Sequence, residues 1–195
     1  MKNNSGFTMI ELLAAIIVLG LLMGSAVPIV TNVLTDQKNR TYVEDGIRLA
    51  SNADNKMRSD NKIVIPPRGG GCVVISLDYM DNNAFSKGPY DGEYDKQASF
   101  VVVSRNNSSA DEEYQYYVRL LEKLETGNYR GIGFKEYNVL YADNARDTVV
   151  ENVGADAAFS LSSYKNNLSG LQIQLQVLGG SSICPKGVYA VYVRE

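Results

Sequence analysis

Three sets of residues in this chain have the types and spacing to do chemistry. The first is a lone acid: Glu11 is the only charged side chain between Phe7 and Thr35, in a run dominated by Leu, Ile, Val and Ala. A carboxylate in a hydrocarbon-seeking helix costs about 2.5–3.5 kcal/mol on insertion scales, so such a residue usually has a partner or a function. The second set is Cys72 and Cys184, the only two cysteines. They admit one intramolecular disulfide if this part of the chain lies outside the cytoplasm, with two buried free thiols as the alternative. A bridge closing so long a loop is worth up to about 4–5 kcal/mol in the chain-entropy model. The third set is Asp91, Glu93 and Asp95, two residues apart around a glycine turn. Acids at that spacing can converge on a calcium ion, which takes oxygen ligands in flexible geometry; a solvated acidic turn is the alternative.

Much chemistry is excluded by composition. The chain has no histidine, which removes His-based triads and the usual His-ligated zinc or iron centre. Two cysteines cannot make a four-cysteine zinc site and form no C-x-x-C pair, so a redox-catalytic role is not expected. No nucleophile with a base, and no cofactor motif, can be read; the expectation is a protein that is not an enzyme and carries no cofactor. A net charge of −3 argues against a nucleic-acid-binding body. Tyrosine is abundant, at 13 residues, with no tryptophan. Tyr114, Tyr116, Tyr117, Tyr129, Tyr137 and Tyr141 either fill and rim a sheet core or form an adhesive surface. Asn39, Asn106, Asn107 and Asn167 begin N-x-S/T triplets, chemically competent glycan acceptors.

The elements that must position these groups begin with the apolar run. Leu12 to Thr35 is 24 residues without a charge, and a membrane-spanning helix needs roughly 20. Lys2 alone precedes it and biases the N-terminus weakly toward the cytoplasm. Helical spacing continues through Val30, Val33 and Leu34 to Val43, Ile47, Ala50 and Met57, with Asp36, Lys38, Arg40, Glu44, Asp45 and Arg48 opposite. One helix over about 8–59 is expected, its second half packed on a domain. "PPRGGG" at 66–71 breaks the pattern, and Cys72 to Asn83 reads as a strand or a short helix. Strands are expected at 100–104, from Tyr114 to Leu120, at 171–177 and at 188–193, with a long hairpin loop at 106–113. The stretch 141–170 is ambiguous, with a short helix suggested by Ala145, Val149, Val150 and Val153. The fold class is α+β: a long helix covering one face of an antiparallel sheet.

Three readings of the apolar run compete. A secretory signal peptide would use Gly24-Ser25-Ala26 as its cleavage site, but Glu11 interrupts its apolar region. A plain anchor explains the length and leaves Glu11 unexplained. The third reading rests on Gly6-Phe7-Thr8-Met9-Ile10-Glu11, which resembles the N-terminal signal of type IV prepilins and pseudopilins. That resemblance implies a cut between Gly6 and Phe7 by a prepilin peptidase and methylation of the new Phe7 amine. Glu11 becomes the fifth mature residue; Gly20 and Pro28, the fourteenth and twenty-second, fall where these pilins often weaken the helix. The resemblance covers residues 1 to about 35 closely, and the α+β plan beyond it also looks like the pilin fold.

By this resemblance, Glu11 pairs with the Phe7 amine of a neighbouring subunit, so that two charges each costly alone neutralise one another. The alternative is a carboxylate reaching back to the cytoplasmic interface. Gly20-x-x-x-Gly24 fits close helix packing in an apolar medium, and Pro28 removes one helical hydrogen bond. The implied organisation is a leader at 1–6, a spanning and assembly helix at 7–35, its amphipathic half at 36–60 and a head at 61–195. The implied function is a pilus subunit, first in the cytoplasmic membrane with its head outside and then on the cell surface. The implied partners are other pilin subunits, the prepilin peptidase, the inner-membrane assembly machinery and lipid. A secretion or competence pseudopilin is the runner-up; an anchored binding domain that never polymerises is the rival outside the class, and an exported enzyme comes third.

Overall fold

Helix α1 runs from Met9 to Ser59 without a break, 51 residues. The structure, a computed structural model, describes residues 8–80, 85–107, 114–154, 158–179 and 182–194. The chain divides into two compact units, Met1–Gln37 and Lys38–Glu195, and α1 contributes to both. In the first unit its apolar side chains are exposed, Leu12, Ile16 and Leu21 among them. In the second unit one stripe is fully covered: Tyr42, Leu49 and Ala53 are each 0% exposed. Gly46 lies on that stripe. A Cβ there would meet Ile132 Cδ1 at 2.6 Å, so glycine sets how closely helix and sheet approach.

The sheet follows, built from β1 (Cys72–Ser76), β2 (Glu93–Tyr94), β3 (Phe100–Arg105), β4 (Tyr114–Lys123), β5 (Tyr129–Glu136), β6 (Val149–Val153) and β7 (Val188–Tyr192). Helix α2 (Leu77–Met80) continues directly from β1, so the segment read as strand or helix is both. The strand order is β6-β5-β4-β3-β1-β7, with β2 added on β4. β3 and β4 pair antiparallel from Phe100↔Arg119 to Arg105↔Tyr114, as the hairpin reading requires.

The expected sheet was antiparallel throughout, and one pair departs from that. β7 runs parallel to β1, Cys72↔Val188 to Ile75↔Tyr192. A tight hairpin cannot place strands that way; the long return through α3 (Leu168–Gly179) can.

Both faces of the central strands are buried. Val73, Ile75, Val101, Val103 and Val118 pack with α1. Cys72, Val74, Phe100 and Val102 pack with Leu171 and Leu175 of α3. This is why Phe100-Val-Val-Val reads as an unbroken apolar run rather than an alternating one.

Three sequence expectations are corrected. Residues 171–177 are not a strand but lie in α3. The alternation Leu171, Ile173, Leu175, Val177 is real, but only Leu171 and Leu175, one helical turn apart, are buried; Ile173 is 60% and Val177 77% exposed. Leu168, Leu171, Leu175 and Leu178 form the packed face, the intervening glutamines are good helix formers, and the Asn167 side chain accepts the Gly170 N–H at 2.9 Å. Second, the helix suggested at 145–153 is a single 3₁₀ turn, Ala145–Thr148, followed by β6, whose pairing with β5 decides the conformation. Third, β5 was not anticipated, because Gly131 and Gly133 dilute its strand pattern.

Candidate assembly site and the tyrosine seam of the head

Thr8 precedes the first turn of α1, and Glu11 lies three residues on. The Glu11 carboxylate accepts the Thr8 N–H at 2.9 Å and the Thr8 hydroxyl at 2.8 Å, while Thr8 Oγ1 accepts the Glu11 N–H at 3.4 Å. This reciprocal pairing is a capping box, which satisfies two of the donors a helix start leaves orphaned. It is absent from the expectations above, although its signal, Thr8-x-x-Glu11, was there to read. Among the described residues both contacts to the carboxylate fall on Oε2. Gly6 and Phe7, the expected cleavage residues, lie outside the described residues.

Beyond Glu11 the helix surface is apolar and bare. Met9, Ile10, Leu13, Ile17, Leu22, Met23, Ile29 and Val33 are all more than half exposed. An exposed apolar surface of this extent marks an interaction with lipid or protein, and the helix is long and apolar enough to cross a membrane. Among the described residues, a Cβ built on Gly20 or Gly24 meets nothing within 4 Å beyond its chain neighbours and the backbone of its own helix. The backbone stays helical through Pro28, whose ring nitrogen has no hydrogen to give the Gly24 carbonyl, so this turn carries one bond fewer.

The second half of α1 is tied to the head by tyrosine hydroxyls. Tyr90 donates to Asn39 at 3.0 Å and Tyr94 to Asp45 at 2.8 Å. Tyr116 donates to Asp54, and Tyr79 to Asp60 just beyond the helix at 3.0 Å. Tyr42, on the helix itself, donates the other way, to Glu122 of β4. Glu122 is wholly buried and also accepts the N–H of Tyr90 at 3.1 Å and of Gly92 at 2.6 Å. Helix, strand and the loop before β2 therefore meet on one carboxylate. Gly92 must be glycine here, since a Cβ would sit 2.4 Å from the Lys123 carbonyl oxygen.

Burial sets the electrostatics of this seam. It raises the phenols of Tyr42, Tyr94 and Tyr116 far above the ordinary tyrosine value, and their carboxylate partners raise them further. Tyr79 is pushed up to about 12 by burial and by Asp60. Burial also raises Asp45. Asp54 ends below the usual carboxylate value: burial works upward, but hydrogen bonds from Arg58 and Tyr116 outweigh it.

The remaining candidates are placed as follows. Cys72 and Cys184 are joined in a disulfide, Cα–Cα 5.6 Å, which links the start of β1 to the segment before β7. Asp91, Glu93 and Asp95 are not brought together. Asp95 accepts the N–H groups of Gln97 and Ala98 and the Tyr129 hydroxyl, while Asp91 sits at a left-handed turn. Among the described residues no group of three or more Cys, Asp and Glu side chains is placed to hold a metal. Arg119, on the strand face opposite Val118 and Leu120, is 1% exposed, its guanidinium over the rings of Phe100 at 5.8 Å and Phe159 at 5.3 Å.

The family model described as the prokaryotic N-terminal methylation motif matches residues 1–27. Neither the curated proteins nor the solved structures compared with this chain give a match. The matched segment takes in Gly6, Phe7, Glu11, Gly20 and Gly24 and ends one residue before Pro28. It supports a type IV pilin-like or pseudopilin protein, of a structural rather than enzymatic kind, and implies a prepilin peptidase and other pilin subunits as partners. Together with the bare helix it suits membrane anchoring. The N-terminal segment of this chain is a prepilin-type cleavage and methylation signal, the one that type IV pilins carry.

Proposed function

We propose that this chain is a structural subunit of a type IV pilus. It is made as a prepilin, with residues 1–6 as leader, and held in the cytoplasmic membrane by residues 7–35 with its head outside. The peptidase hydrolyses the Gly6–Phe7 peptide bond, and the freed Phe7 amine is methylated. The subunit then leaves the lipid for a surface filament, in which the bare apolar face of α1 is covered by the same face of its neighbours. Glu11 of one subunit meets the methylated amine of the next, and Gly20 and Pro28 let the helix yield where packing requires it.

The observation that carries this reading is the methylation motif at 1–27 leading without interruption into a helix that is bare in its first half and packed in its second. Polymerisation buries apolar area at about 25 cal/mol per Å², while the charge pair fixes register. A secretion or competence pseudopilin is the second reading, favoured by the same motif.

Two measurements test this. The intact mass of the protein from its native host is expected to begin at Phe7 and to carry one added methyl group; a start at Val27 would instead mean an ordinary secreted protein. Glu11→Ala is expected to leave the subunit membrane-inserted and its head folded but to abolish filaments. Undiminished filaments containing Glu11→Ala would remove the assembly role of this residue.

A further inference from the structure

Between the last turns of α1, the start of β4 and the 3₁₀ turn after β5 lies an open cleft of about 310 Å³. That is the lower end of the range for small-molecule sites. Its walls join two kinds of group. Tyr114, Tyr116 and Tyr137 supply aromatic surface; Asp54, Arg58 and Asn138 supply polar atoms, and Asn55 lines the same space.

These groups are held in place by one another. The rings of Tyr116 and Tyr137 meet edge-on, centroids 6.2 Å apart, and Tyr137 packs edge-on against Tyr141 at 5.0 Å. Arg58 Nε lies 2.9 and 3.0 Å from the two Asp54 oxygens, and the Tyr116 hydroxyl donates to the same carboxylate. The Asn138 amide donates to Glu136 at 3.4 Å.

The chemistry of this lining selects among ligands. An anionic ligand meets two carboxylates, Asp54 and Glu136, against one guanidinium already engaged by Asp54. An apolar peptide would take the carboxylate, guanidinium and amides that line the cleft out of water and offer them no new hydrogen bond, an unfavourable exchange. A sugar ring satisfies both kinds of wall. Its C–H faces rest on aromatic rings, whose faces are electron-rich. Its hydroxyls, each donor and acceptor at once, match carboxylates that only accept, a guanidinium that only donates and amides that do both.

We propose that this cleft binds a neutral pyranose, the terminal sugar of a glycan, between the tyrosine rings of the sheet and the Asp54–Arg58 pair of the helix. The site is separate from the N-terminal assembly segment and does not depend on filament formation.

The test uses the full chain in lauryldimethylamine oxide micelles, a detergent without a sugar. Methyl glycosides of glucose, galactose, mannose and N-acetylglucosamine are offered in turn and read by saturation-transfer NMR. At least one is expected to receive saturation at its ring protons, with Tyr137→Ala abolishing the transfer. Because Tyr137→Ala also removes ring packing, Asn55→Ala is measured beside it and is expected to weaken binding at least fivefold with the circular dichroism unchanged. Ile173→Ser, on α3, should leave binding as it is. No transfer from any of the four glycosides overturns the proposal, as does transfer that survives both cleft variants. Concentration-dependent self-association abolished by Asn55→Ala would assign the cleft to a second copy of the chain and overturn it too.

Discussion

Glu122 shows how much one side chain can organise. It belongs to β4, but the groups that donate to it are 80 residues away in α1 and 30 and 32 away in the loop before β2. Those separations explain why nothing in the sequence marks it. In "LLEKLE" it is one of two acids, and only the fold shows that the Tyr42 hydroxyl and two backbone N–H groups converge on it. Glu11 is the opposite case, legible at once because its neighbours in sequence are apolar. Replacing Glu122 by Gln keeps the shape but turns amide hydrogens toward groups that also donate. We expect Glu122→Gln to lose about 1–3 kcal/mol of stability, the cost of buried donors left unsatisfied, read as a lower urea midpoint. An unchanged midpoint would mean that the convergence on Glu122 is energetically idle.

The elements are where sequence patterns succeeded unevenly. α1 was readable to within a residue or so because its uncharged run of 24 residues leads straight into helically spaced apolar positions. α3 was not, because residues alternating in sequence also include pairs one helical turn apart; Leu168 and Leu178, outside the alternation, were the discriminating signal. The tyrosines were readable as a composition but not as a device, since five of them join the second half of α1, and Asp60 just after it, to the head through side-chain hydrogen bonds. Raised phenol values tie this docking to pH in a definite direction. A group whose folded value lies above its unfolded one contributes fully below the unfolded value and less as pH rises through the folded one. The seam between α1 and the sheet is therefore expected to hold up to roughly pH 10, the ordinary tyrosine value. Above that it weakens, with Tyr79 near 12 and Tyr42, Tyr94 and Tyr116 higher still. Phenolate absorbance should show exposed tyrosines ionising first and buried ones appearing together with loss of circular dichroism. Gradual ionisation of all tyrosines without unfolding would contradict it.

At the scale of the whole molecule, the Cys72–Cys184 bridge spans 112 residues and encloses β2 to β6 and α3. Reduction is expected to lower the stability of the head by about 4–5 kcal/mol, the loop-closure entropy returned to the unfolded chain. Denaturant midpoints with and without reductant measure it; coincident curves would show that the bridge adds nothing. The same bridge changes how the head answers a pull. A tether between α1 and any point on the enclosed segment stretches a ring rather than a string. Even with every strand peeled away, no point of this ring lies farther from Cys72 than half its contour, roughly 200 Å, where the far end of the open chain would reach roughly 400 Å. Under tension the head shortens its own leash.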